Sequence, residues 1–190
     1  LAVVLRKHPH IFILSDEIYE YINFTNERVT SIAEIDSLYE HTITINGMSK
    51  AFAMTGWRIG YMGAPEWIAK ACSKVQGQIT SGTNAIAQRA SIAALKAPKS
   101  KIQYMVDEFK RRRDLVLQLL SEIHGFRLNV PEGAFYVFPN VSHFFGKTLR
   151  GRIINNATDF SLYLLEEAMV ATVTGEAFGD ANCIRFSYAA

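Results

Sequence analysis

The apolar positions of this chain change period along its length, and the changes mark out its elements. Leu1, Val4, Leu5 and His8 recur at helical spacing and stop before Pro9, which predicts the last turns of an amphipathic helix. Residues 10–15 follow, with Ile11, Phe12, Ile13 and Leu14 in unbroken succession. Such a run predicts a strand buried on both faces, as in a parallel sheet. Residues 23–39 are polar and mixed, a loop with a short helix near 32–35. Residues 41–46 predict a second strand and 58–63 a third, ended by Ala64-Pro65. Pro65 and Glu66 mark a helix start. Ile68, Cys72, Val75 and Ile79 then recur at steps of four, three and four, which predicts one buried face. The hydroxyl-rich break 80–84 follows, and Asn84 is placed to cap an alanine-rich helix to about Lys96.

Beyond this point the pattern changes. Residues 98–100 read as a linker into a second region. A long helix follows, with Ile102, Met105, Val106, Phe109, Val116, Leu120 and Ile123 on one side and Gly125 ending it. Residues 126–130 and 134–138 predict a strand pair around the turn Pro131-Glu132-Gly133. Residues 142–156 read as a mobile polar loop, 159–168 as a helix and 169–173 as a strand. Residues 183–188 alternate as a half-buried strand that carries Arg185.

Charge and composition narrow the field without choosing within it. A net charge of +2 over 190 residues gives no strong pull toward nucleic acid or a membrane surface, and no apolar run is long enough to span a bilayer. The run Lys110-Arg111-Arg112-Arg113 is flanked by Asp107, Glu108 and Asp114, and so reads as a solvated helix face. Cys72 and Cys183 have neither metal-ligand spacing nor disulfide density. They are expected as buried free thiols in a reducing, cytoplasmic setting. The five histidines are scattered, and no metal site is expected.

Candidate chemistry gathers in one stretch, from Gly47 through Ser49-Lys50 to Gly56, Arg58 and Gly60. One lysine sits in a loop after an apolar strand, with an arginine eight residues on and small residues around both. That setting admits a bulky planar group close to the backbone. Two cations beside donor-rich backbone suit a phosphate-bearing cofactor with an aldehyde to trap. A solvated lysine and a structural ion pair for Arg58 are the alternatives. Further upstream, Asp16 stands where β-strand pattern gives way to charge, at the edge where open α/β sheets gather ligands. A turn aspartate fits that position equally well.

The stretch resembles the cofactor-lysine signature of the class I/II aminotransferases, fold-type I enzymes that use pyridoxal 5′-phosphate (PLP). Gly47, Ser49, Lys50, Gly56, Arg58 and Gly60 all match it, and the likeness runs over essentially the whole chain, closest to the bacterial aspartate-aminotransferase type. The resemblance implies an α/β fold: a mostly parallel sheet flanked by helices over 1–97, the later part of a large PLP-binding domain, and a smaller α+β domain over 98–190. It further implies that Lys50 carries the cofactor as a Schiff base and shuttles a proton when its amine is neutral. Asp16, in Ser-Asp-Glu-Ile-Tyr, would bond the protonated pyridine nitrogen and Tyr19 the ring oxygen. Ser49 and Arg58 would bind phosphate, the guanidinium by its planar fork. Arg185 would hold the substrate α-carboxylate.

The implied reaction moves an amino group from an L-amino acid, aspartate foremost, to a 2-oxo acid, 2-oxoglutarate foremost, in a homodimer. A C–S β-lyase on the same scaffold, a non-catalytic PLP-fold regulator or an inactive fragment are the alternatives. The break 80–84 reads as helix capping, or as reaching a phosphate in a partner subunit. Against the family pattern, the first half and a final helix are expected to lie outside these residues. Gly47 replaces a serine that adds a phosphate contact in many relatives, and Thr174 stands where proline is frequent.

Overall fold

The computed structural model describes residues 1–25 and 27–189; Asn26, in the predicted loop 23–39, lies outside them. The chain divides into two compact units, Leu1–Tyr104 and Met105–Ala190. The division falls in the first turns of a long helix.

In the first unit, helix α1 (Ala2–Leu5) leads to strand β1 (Ile13–Asp16). β1 pairs in parallel with β2 (Thr42–Gly47), from Ile13 opposite Thr42 to Asp16 opposite Ile45. β2 pairs antiparallel with β3 (Gly60–Gly63), Thr44 opposite Gly63 and Gly47 opposite Gly60. The tight β2–β3 contact depends on small residues. A Cβ on Gly47 would stand 3.1 Å from the Ile59 carbonyl oxygen and 3.2 Å from the Gly60 Cα. A 3-10 turn, Ile32–Glu34, is closed by a capping box in which Ser31 and Glu34 exchange hydrogen bonds. Helices α2 (Glu66–Ile79) and α3 (Ala85–Lys96) follow, the second capped by Asn84 Oδ1 accepting from the Ala87 amide at 3.0 Å.

Several expectations for this unit need correction. β1 starts three residues late and alternates between half-buried and exposed; Leu14 is 68% exposed, so the strand is not covered on both faces. Arg58 and Ile59 precede β3, because Arg58 is left-handed at φ 51°, ψ 49° and cannot extend a strand. On α2 only Ile68 is buried, whereas Val75 is 58% and Ile79 74% exposed. The stripe has the right period, but beyond Ile68 nothing of the described unit covers it. Cys72, on the same stripe, is exposed for that reason.

In the second unit, α4 (Ser100–Ser121) runs to Gly125, whose φ of 111° only glycine adopts freely. The sheet has the order β4 (Tyr136–Val137), β8 (Ile184–Ser187), β7 (Val173–Thr174), with both pairs antiparallel. A hairpin, β5 (Lys147–Leu149) and β6 (Arg152–Ile154), precedes α5 (Ala157–Ala168). The core is Val141, Ile154, Ala157, Phe160 and Ile184, flanked by Phe126, Phe144 and Phe186. The Phe144 and Phe160 rings stack at 4.6 Å.

Here too the pattern misleads in places. Residues 126–130 do not pair with 134–138; β4 bonds to β8, and only an isolated bridge joins Arg127 to Asn140. The reason lies in the turn. Arg113 Nη1 donates to the Pro131 carbonyl at 2.9 Å, tying the turn to α4, and Ala134 redirects the chain at φ 59°. Arg113 is therefore 11% exposed and not part of a solvated face, unlike Arg111 and Arg112, which pair with Glu108. Those two bonds hold the Glu108 carboxyl down at about 2. The expected mobile loop 142–156 contains the β5–β6 hairpin, turned through Arg150 (φ 47°) and Gly151 (φ 84°), the geometry of a type I′ turn. The expected strand 169–173 shrinks to Val173–Thr174, since Met169 ends α5 left-handed at φ 55°.

Gly175 packs against the chain that leads into β8. A Cβ there would lie 2.1 Å from the Asp180 carbonyl oxygen and 2.4 Å from that of Cys183. Both are backbone oxygens held by hydrogen bonds, Cys183 O accepting from Gly175 N at 2.7 Å and Asp180 O from Cys183 N at 3.2 Å. Gly175→Ala is expected to cost about 3 kcal/mol, read as a lower urea midpoint with unchanged slope. A midpoint equal to the parent's would refute this packing.

Burial also pushes the Cys183 thiol up to about 11, helped by its bond to Asp180, and raises the Tyr188 phenol to about 12. The unfolded chain loses these protons first, so folding stability falls as pH rises through the ordinary thiol and phenol range. Alkylation at pH 8.5 is expected to modify exposed Cys72 and to spare Cys183 until denaturant is added. Equal labelling of both thiols in the folded protein would contradict this.

Candidate active site

The carboxyl edge of β1 and the β2–β3 connection carry the predicted residues of the first unit. Asp16 ends β1, and its Oδ1 accepts from the Ile18 amide at 3.2 Å. That bond fixes the turn which sends the chain on to Tyr19. The turn role weighed against a ligand role is thus present, and a carboxylate has a second oxygen to offer. Glu17 and Glu20 are both engaged: Glu17 Oε1 accepts from Ser15 at 3.0 Å and Ser31 at 2.5 Å, and Glu20 Oε2 accepts from Asn46 Nδ2 at 2.9 Å. Asn46 Oδ1 in turn accepts from the Gly47 amide at 2.8 Å, so the buried amide at the end of β2 is satisfied on both sides.

The loop between β2 and β3 closes on itself. Met48 N donates to Ile59 O, Met54 N to Met48 O, Ala53 N to Lys50 O and Trp57 N to Met54 O, at 3.2–3.3 Å. Met48 and Ala51 are completely buried beneath it, while Ser49 and Lys50 stand half-buried above. The Lys50 amine lies 5.9 Å from the centre of the Tyr19 ring. Tyr21 packs on Phe52 at 5.5 Å, pinning the loop to the turn that follows β1. Burial, then the neighbouring Glu20 carboxylate, pushes the Tyr21 phenol up. Tyr61 is raised by burial, with Tyr21 and Glu20 adding to it.

The loop also holds backbone strain. Ala53 and Arg58 are both left-handed, at φ 52° and 51°, and Ser81 joins them at 63°. A non-glycine residue in that region costs on the order of 1 kcal/mol, and such residues cluster where a site is being shaped. Ala53 and Arg58 line one open cavity of about 820 Å³, together with Gly56, Trp57, Gln76, Thr80, Thr83 and Asn84. The Arg58 guanidinium is anchored at one corner, Nη1 donating to the Thr55 carbonyl at 2.9 Å, and is exposed. Asp16, Tyr19, Ser49 and Lys50 are not among the residues lining that cavity. Sequence reasoning singled out 80–84 but not Trp57 or Gln76. An exposed tryptophan beside the signature arginine was the available signal.

The donor set suits PLP. One carboxylate can face a pyridinium nitrogen, one phenol a ring oxygen, one amine an aldehyde, and a guanidinium a phosphate. The cavity beside Arg58 has the volume of a small-molecule site.

Arg185 belongs to the second unit. It lies in β8 opposite Val173 of β7, with its guanidinium carbon 4.3 Å from the Tyr136 ring centre and 4.1 Å from that of Phe178. Among the described residues it forms no ion pair.

Comparison with known proteins bears on all 190 residues. The model of the family "Aminotransferase class I and II" matches residues 1–190. An aspartate aminotransferase of Pinus pinaster is 44% identical over 194 residues, covering all of this chain and 39% of its own length. One from Rhizobium meliloti (strain 1021) is 47% identical over 191 residues, again over the whole chain and 47% of its own. The crystal structure of the Rhizobium meliloti aspartate aminotransferase superimposes with a TM-score of 0.95 at 46% identity, over the whole chain and 48% of the larger one. The chain thus spans about half the length of the relatives it matches, or less. With strand, signature loop and α/β architecture agreeing over its full length, the chain belongs to the class I and II aminotransferases, a PLP-dependent family.

Proposed function

We propose that the protein transfers the amino group of an L-amino acid, aspartate foremost, to a 2-oxo acid, 2-oxoglutarate foremost. The observation that carries this reading is the strained, self-closed loop from Met48 to Ile59, which presents Lys50 beside Tyr19. Relatives named as aspartate and aspartate/prephenate aminotransferases support the choice of aspartate. Bound PLP would supply an aldehyde carbon and a cationic ring able to take up the electron pair released at the substrate Cα.

The residues of this chain do the rest. Lys50 would hold the cofactor through its amine, and the same amine is placed to take and return the proton at the substrate Cα. Asp16 would favour a proton on the ring nitrogen by placing negative charge beside it. Tyr19 would donate to the ring oxygen. Ser49 and Arg58 would take the phosphate, and Arg185 the substrate α-carboxylate, with two parallel bonds that fix its orientation. Exposed Val75, Ile79, Ile86 and Ile92 on α2 and α3 support assembly as a homodimer. No helix among the described residues is long and apolar enough to cross a membrane, and a cytoplasmic site of action is consistent with the free thiols.

The test is amino-group exchange in the PLP-loaded protein. Glutamate should form from 2-oxoglutarate only when aspartate is present, with oxaloacetate as co-product. Release of ammonia and pyruvate from a cysteine conjugate without that exchange would favour a lyase and overturn the proposal.

A further inference from the structure

We propose that Tyr136 and Phe178 are positioning residues for Arg185, a pair of aromatic plates that leave only the edge of its guanidinium open to a carboxylate. The inference rests on the reading of Arg185 as the residue that binds the substrate α-carboxylate. Its basis is the local geometry of β4, β8 and the turn after β7.

β4 and β8 pair antiparallel with Tyr136 opposite Ser187. Arg185, two residues before Ser187, is therefore the diagonal neighbour of Tyr136 on the same face of the sheet, within reach of a long side chain. The separation of 4.3 Å from guanidinium carbon to ring centre shows that contact made. Phe178 arrives from the other neighbour of β8. It ends the 3-10 turn Gly175–Phe178, which follows β7 directly, and lies 4.1 Å from the same carbon. The close backbone packing of Gly175 and the left-handed Gly179 (φ 86°) bracket that turn and set where the ring projects.

Each ring is held by a further one. Tyr136 packs on Phe135 at 4.8 Å, and Phe178 meets Phe138 edge-on at 5.9 Å and 90°. Tyr136 comes from β4 and Phe178 from the turn after β7, the two strands that flank β8, so they reach the guanidinium from different sides.

Two consequences follow from elementary chemistry. The rings attract the cation, and at 4.1–4.3 Å from its central carbon they stand too close for its N–H edges to lie between, which leaves the edges of the guanidinium plane open. The N–H donors lie in that plane, so an anion has to arrive edge-on, in the two-point geometry a carboxylate offers. A flexible side chain is at the same time confined before substrate arrives, which lowers the ordering cost at binding. Among the described residues no carboxylate competes for the fork.

The test compares Phe178→Leu, Tyr136→Leu, Phe178→Tyr, Tyr136→Phe and Arg185→Ala in the PLP-loaded protein. Each is first checked for parent-like circular dichroism and cofactor absorbance. Removing either ring is expected to raise the KM for aspartate by about fivefold or more, with kcat changed by less than about twofold. The aromatic replacements are expected to restore KM to within about twofold. The loss should be confined to substrates bearing an α-carboxylate, so that amino transfer from a simple alkylamine falls far less; a merely structural role would lower both alike. Arg185→Ala should raise the aspartate KM more than either ring variant. If Arg185→Ala does so and both leucine variants keep the parent KM, the plates are refuted while the carboxylate role stands. If Arg185→Ala leaves KM unchanged, the reading of Arg185 falls, and the plates with it.

Discussion

Lys50→Ala is expected to reduce amino transfer on the order of 10⁴-fold while leaving the protein folded. The effect is large because the proposal gives one amine two tasks, holding the cofactor and carrying the Cα proton, and positioned proton transfer alone contributes roughly 10²–10⁴-fold. Stability should change little. The side chain is half-buried, and the loop is closed by backbone bonds from Met48, Ala53, Met54 and Trp57 that do not involve the lysine amine. A rate within tenfold of the parent would show that another lysine does the work.

Asp16→Asn is expected to lower kcat by about 10²- to 10³-fold, the usual loss when one preorganised electrostatic partner of a reacting group is removed. The substitution separates the two roles of this residue. Asparagine keeps an oxygen for the Ile18 amide, now bonded at 3.2 Å, so the turn after β1 should persist. It removes the negative charge proposed to favour a protonated pyridine nitrogen. Asp16→Ala removes both, and should add about 1 kcal/mol of lost stability without a much larger loss of kcat. If Asp16→Asn kept parent kcat and Asp16→Ala did not, the aspartate would be a turn residue only.

The elements set by local chemistry were legible from the sequence. Asn84 before an alanine-rich run caps α3, Pro65 and Glu66 open α2, and Gly125 closes the turn after α4. What depended on partners distant in sequence was not. Residues 126–130 look like half of a hairpin, yet Arg113 draws the Pro131 turn to α4 and β8 takes the place beside β4. Val75 and Ile79 have the period of a buried face and lie open, because periodicity records that a face is meant to be covered and not by what.

The candidate site shows the same contrast. Its candidate residues, from Lys50 and Arg58 to Asp16, could be named one by one, because their order along the chain is itself the signal. The left-handed conformations of Ala53 and Arg58 could not, since neither residue type favours them. Nor could the aromatic surroundings of Arg185, which come from three separate segments.

The central claim is that the amine of Lys50 is the one that binds the aldehyde. Borohydride reduction of the PLP-loaded protein, followed by peptide mapping, tests it directly. The prediction is a single phosphopyridoxyl group on Lys50, with tryptic cleavage blocked after that residue and no label in Lys50→Ala. Label on any other lysine, or parent-level label in Lys50→Ala, would contradict the account.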